Sequence, residues 1–161
     1  MIFVRSKITS YINNLAFYAL YRYVMFYLIT SSVEAMKSIL NSSMNAHIPL
    51  GNFVTYSTTK GAHIALAKST AVHCAGQGLK VRCNVIHPGV VETDMIKGVI
   101  AGAPDADAAR AMFEGMAPMK RMAHVDEIAG LVVYLGSDEA AFISGASYNI
   151  DGATTAGMMG V

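Results

Sequence analysis

Every one of the fourteen glycines lies at or after Gly51. Glycine takes up left-handed and closely packed backbone without steric cost. The tight turns of a compact sheet therefore have to be built after residue 50. Acidic residues are skewed the same way, since none precedes Glu34. Residues 1–33 hold Arg5, Lys7 and Arg22, five of the eight tyrosines and three of the six phenylalanines. Residues 1–37 are accordingly expected to form an apolar, aromatic helical segment, with a helix over about 9–37, and residues 38–161 a separate folding region.

A membrane span over 1–33 is disfavoured. Its uncharged stretches, 8–21 and 23–33, are split by Arg22, and a span needs about 20 apolar residues. Joining them would set an arginine near mid-membrane, at about 2.5–3.5 kcal/mol. A buried or oligomer-facing helix is the plainer expectation. No small-residue cleavage site of a signal peptide follows the apolar run.

Hydrophobic residues make up 53% and charged residues 14% of the 161, which excludes a disordered chain. A formal charge of +1 leaves no electrostatic footprint for nucleic acid. Two cysteines, Cys74 and Cys83, are too few for a disulfide framework, and the five histidines show no metal-ligand spacing. Reduced thiols in a cytoplasmic protein and no metal site are expected.

From residue 38 the periodicities are readable. Ser38–Ser43 fits a buried strand. Residues 54–75 are rich in alanine and run to Gly76-Gln77-Gly78, a helix with a glycine stop. Leu79, Val81, Cys83 and Val85 alternate with polar residues as a strand, stopped by Pro88-Gly89. Asp105–Gly115 reads as a short mobile helix. Asp126 and Glu127 open another, with Ile128, Leu131, Val132 and Leu135 on one face. Gly145 and Gly152 bracket a last strand over about 146–150. The order predicts an α/β fold, a partial doubly wound parallel sheet of about three strands with flanking helices. Such sheets bind ligands beyond the carboxyl ends of their strands, which singles out Ser42-Ser43, Pro88-Gly89 and Asp151-Gly152.

Tyr56 and Lys60 stand four apart, on one face of the predicted helix. A phenol is too weakly acidic to serve unaided as a base at neutral pH, and a neighbouring ammonium favours the phenolate. A tyrosinate can take the hydroxyl proton of an alcohol while its hydride departs. Alone, the pair is a weak signal.

It does not stand alone. Ser43 lies thirteen residues before Tyr56. Asn84-Val85-Ile86-His87-Pro88-Gly89-Val90-Val91-Glu92-Thr93 ends the next strand. Val125-Asp126-Glu127-Ile128 opens a helix running to Tyr134-Leu135-Gly136-Ser137, and Phe142-Ile143-Ser144-Gly145 leads to Ile150-Asp151-Gly152. In this order and spacing, residues 38–157 resemble the C-terminal half of the Rossmann-like domain of the short-chain dehydrogenase/reductase family.

The resemblance implies an oxidoreductase that interconverts a secondary alcohol and a ketone with NAD or NADP, an alcohol dehydrogenase or ketoreductase acting on a small molecule, in a homo-oligomer. It implies that Tyr56 is the catalytic acid/base and Lys60 the residue that binds the nicotinamide ribose. Ser43, rather than Ser42, fits the serine that hydrogen-bonds the substrate oxygen. Pro88, Gly89, Val91 and Thr93 fit the cofactor contacts, with Tyr56 and Lys60 also touching it, and the stretch from Asp94 to Met119 fits a mobile substrate loop. Met95, Ile96, Val99, Ile100, Met112 and Phe113 there suggest a hydrophobic, cyclic or steroid-like substrate. Thr93 also reads as a plain helix cap, Asn84 as structural, and His87 as a residue of the cleft rim. Asn14 is the nearest candidate for the family's catalytic asparagine.

The family's G-x-x-x-G-x-G turn near the N-terminus has no counterpart, because no glycine precedes Gly51. The expectation is a truncated fragment whose alternative role is that of a catalytically silent oligomerisation module.

Overall fold

A computed structural model describes residues 35–157. Its centre is a three-stranded parallel sheet in the order β1-β2-β3: β1 Met36–Asn41, β2 Val81–Pro88 and β3 Ser147–Ile150. Met36 of β1 aligns with Val81, and Val85 of β2 with Ser147. β2 is flanked on both sides, so Cys83 to His87 are all buried, as expected of a central parallel strand. Val85 and Ile86 are almost wholly enclosed, each stabilising the fold by about 1.5–3 kcal/mol.

Helices cover both faces. The helix α1, Val54–Gly76, has 23 residues. It buries Ala67, Thr70, Ala71 and Cys74, which share one face at i, i+3, i+4 and i+7. Ala67 and Ala71 pack on Cys83 and Val85, with Leu40 beside them. These alanines let the helix lie close to the sheet. Gly78, at φ +67°, follows its end, as the glycine stop predicts. On the opposite face lies α4, Val125–Gly136, opened by a capping box between His124 and Glu127. Arg82 of β2 donates to the carbonyls of Leu135 and Ser137, satisfying groups that the end of α4 leaves without helical partners, and to that of Ile143 in the turn before β3. Asn84 donates to the Ile143 carbonyl and accepts from the Ala146 amide, a structural role.

Four expectations are corrected. Met36 and Lys37 belong to β1, not to a helix over 9–37, and Ser42 and Ser43 follow the strand rather than end it. The ladder still extends one bond further, from the Ser42 amide to the Ile86 carbonyl at 2.9 Å. The stretch from Asp94 to Met119 carries more helix than the one over 105–115 that the sequence predicts. It holds α2, Asp94–Ala101, and α3, Ala106–Gly115, each started by its own side-chain cap, Thr93 and Asp105. His87 is 0% exposed, enclosed by the Ser43 backbone, the Ser147 hydroxyl and the His47 ring, so it is not a rim residue. Asn14 and the question of a span over 1–33 lie outside the described residues. Among those described, no helix is long and apolar enough to cross a membrane.

Candidate active site

Beyond the carboxyl ends of β1 and β2 lies a cleft of about 500 Å³, within the usual range for small-molecule sites. Ser43, Tyr56, Lys60, Pro88, Gly89, Val91 and Thr93 all line it.

Tyr56 sits in the first turn of α1, 44% exposed, with the Phe53 ring edge-on at 6.3 Å. Lys60 follows one turn later, its Nζ 5.5 Å from the centre of the Tyr56 ring. That Nζ donates to the Asn41 carbonyl at 2.8 Å. An ammonium has three donors, so this bond fixes its position and leaves two for a ligand. His63, one turn further along, has its pKa lowered by burial first and by the charge of Lys60 second.

The two serines after β1 differ. The Ser42 hydroxyl is buried and donates to the Lys60 carbonyl at 2.7 Å, tying β1 to α1. The Ser43 hydroxyl accepts the Asn45 amide at 3.2 Å, capping the single 3-10 turn Met44–Ala46. Its own proton has no acceptor among the described residues. Ser43 is thus the hydroxyl left with a donor to offer.

Pro88 ends β2, and the Gly89 amide donates to the Ile150 carbonyl at 3.1 Å. A Cβ on Gly89 would lie 2.8 Å from the Asp151 Cα, so only glycine fits this close approach, and the cleft floor there is bare backbone. Val91 bridges to Ala123. The Thr93 hydroxyl accepts the Ile96 amide at 3.4 Å. Arg110 of α3 binds Glu92 at 2.8 Å and Glu114 at 3.3 Å, holding that helix to the strand end. The Arg110 bond holds the Glu92 carboxyl below its usual range.

The apolar wall is partly the one expected. Met95, Ile96 and Phe113 line the cleft, joined by Met44, Leu50, Met116, Val125 and Ile128. Ile100 is buried instead, while Val99 and Met112 face outward. Leu50 and Val125 carry no local signal of this role; the fold brings them in from separate elements. A second cavity, of about 350 Å³, includes Arg121, Glu127 and Asp151. Its charged groups already have partners: Arg121 grips Glu127 through bonds of 2.7 and 2.8 Å, and the Asp151 carboxylate accepts from the neutral amide of Thr155.

The family described as enoyl-(acyl carrier protein) reductase matches residues 7–155. A dehydrogenase/reductase SDR family member 6 of Aquarana catesbeiana is 40% identical over 134 residues, covering 81% of this chain and 54% of that protein. The chain spans about half the length of the curated relatives it matches. A short chain dehydrogenase family protein of Francisella tularensis superposes with TM-score 0.72 at 31% identity, over 84% of this chain and 57% of that one. A 4-hydroxyisoleucine dehydrogenase complexed with NADH gives TM-score 0.73 at 26% identity, over 89% and 56%. Its Rossmann-like parallel sheet, its ordered strand-end motifs and these likenesses agree: the chain belongs to the short-chain dehydrogenase/reductase family.

Proposed function

We propose that the chain carries the catalytic half of a nicotinamide-dependent oxidoreductase, which interconverts a hydrophobic secondary alcohol and its ketone. The observation that supports this most directly is the meeting of Ser43, Tyr56 and Lys60 in one cleft with a bare-backbone floor at Gly89.

The residues present suit the nicotinamide end of a dinucleotide. A flat ring needs close backbone, which Gly89 provides, and ribose hydroxyls need donors, which Lys60 retains. Pro88, Val91 and Thr93 complete that wall. When bound, the dinucleotide supplies the hydride chemistry. The chain supplies orientation and the proton. The Ser43 hydroxyl donates to the substrate oxygen. Tyr56 Oη takes the alcohol proton in oxidation and returns it in reduction. The Lys60 ammonium, on the same face of α1, stabilises the negative oxygen while that proton is away. Met44, Leu50, Ile96, Phe113 and Met116 favour an apolar substrate body.

The free, buried thiols of Cys74 and Cys83, whose pKa values burial raises, suit a reducing compartment such as the cytoplasm. As in its family, the working form is taken to be a homo-oligomer.

The test is oxidation of a panel of apolar secondary alcohols with NAD and with NADP, followed by absorbance of the reduced cofactor. Tyr56→Phe is expected to lower the rate by about 100-fold or more. No turnover would leave the chain as a silent interaction module, and turnover indifferent to Tyr56 would overturn the role given to that residue.

A further inference from the structure

His87 is fully enclosed near the end of β2 and has no part of its own in the reaction scheme above, yet its ring is held from several sides. Nδ1 lies 3.2 Å from the Ser43 carbonyl oxygen. Nε2 lies 2.6 Å from the Ser147 hydroxyl on β3. The His47 ring packs edge-on, with centroids 4.4 Å apart. A carbonyl oxygen can only accept, so Nδ1 carries the proton, and Nε2 of the neutral ring accepts from Ser147.

Ser43 needs such an anchor. The last ladder bond of the strand belongs to Ser42, so Ser43 stands one residue beyond the sheet. Its carbonyl also accepts the Ala46 amide at 3.0 Å, but that bond lies within the 3-10 turn and does not tie the turn to anything. The bond from His87 does. We propose that His87 is a positioning residue: from β2 it fixes the backbone of Ser43, and so the direction of the Ser43 hydroxyl in the cleft, with Ser147 selecting the tautomer that can do so. This rests on the reading of Ser43 as the donor to the substrate oxygen.

The surroundings favour a neutral ring. Burial lowers the pKa of His87 most; the bond to Ser43 acts against it, His47 and His63 add to the lowering, and Asp151 opposes.

The experiment reads geometry and needs no turnover. Nitrogen-15 NMR of histidine-labelled chain at neutral pH is expected to show His87 protonated on Nδ1 and bare on Nε2; the opposite tautomer would overturn the proposal. That measurement stands even where a variant fails to fold. In His87→Phe, exchange of the Asn45 amide, which donates to the Ser43 hydroxyl, is expected to rise about fivefold to tenfold relative to the core amide of Val85. His87→Asn, whose side-chain amide reaches the Nδ1 position, is expected to stay within about twofold of the parent chain. Equal exchange in His87→Phe and the parent would show that the ring only fills space. Failure of the catalytic reading appears separately, as a Ser43→Ala chain with unchanged turnover.

Discussion

His63 and His87 are where the folded chain meets pH. Burial lowers the pKa of both rings below their ordinary 6.5. Between the folded values and 6.5 the unfolded chain binds more protons, so stability rises with pH across that window. Their contribution is complete above 6.5 and is lost as the pH falls. The carboxyls of Glu92, Glu127 and Asp138 are also lowered, Glu127 to about 2 by its bonds to Arg121 and to the His124 amide, but their contributions are lost only as the pH falls from the ordinary carboxylate values toward these lowered ones. The urea midpoint is therefore expected to drop between about pH 7.5 and about pH 5.5, before any carboxyl titrates. A flat midpoint across that interval would mean that both rings titrate in the fold as they do in the unfolded chain. Tyr56 and Lys60 were legible as a pair because their relation is one helical turn. The role of His87 was not, because its partners Ser43 and Ser147 stand 44 and 60 positions away.

Among the elements, α1 depends most on small side chains. Ala71 faces Cys83 and Val85, and its Cβ lies 3.3 Å from where a Cβ on Gly145, at φ +76°, would be. Helix, central strand and the turn before β3 thus converge on one methyl group. Ala71→Leu adds bulk that none of the three can yield to without moving backbone, and is expected to cost about 1–3 kcal/mol. Urea unfolding checks this; a loss under about 0.5 kcal/mol, the level of an ordinary surface change, would mean that α1 lies less tightly on the sheet. The ends of α1 and β3 were readable because glycine marks them. The start of β1 was not, since Met36 and Lys37 continue an apolar pattern that suits a helix equally well, and only pairing with Val81 and Arg82 decides for a strand. The helix α2 was legible only as an alternative, through Thr93 as a cap, because family likeness pointed to a loop there.

For the molecule as a whole, the decisive quantity is cofactor affinity. Lys60, Gly89 and Thr93 suit the nicotinamide end, but the chain has no glycine before Gly51 with which to build the family's phosphate turn. A pyrophosphate held on such a turn gains several charge-assisted hydrogen bonds, about 1.5–3 kcal/mol each. Losing two or three weakens binding by about 3–9 kcal/mol, a hundredfold or more. Calorimetric titration of this chain with NADH and NADPH is expected to give affinities far weaker than micromolar; micromolar binding would mean that residues 1–34 supply a phosphate site. The sequence by itself determined the order of strands and helices, their glycine stops, and the shared face of Tyr56 and Lys60. All of these follow from periodicities and backbone preferences that act over a few residues. Only the tertiary structure decided which serine hydroxyl proton has no acceptor among the described residues, which apolar side chains wall the cleft, and that His87 is buried. Those outcomes depend on parallel pairing of β1, β2 and β3, which brings together groups tens of residues apart whose identities carry no local trace of the contact.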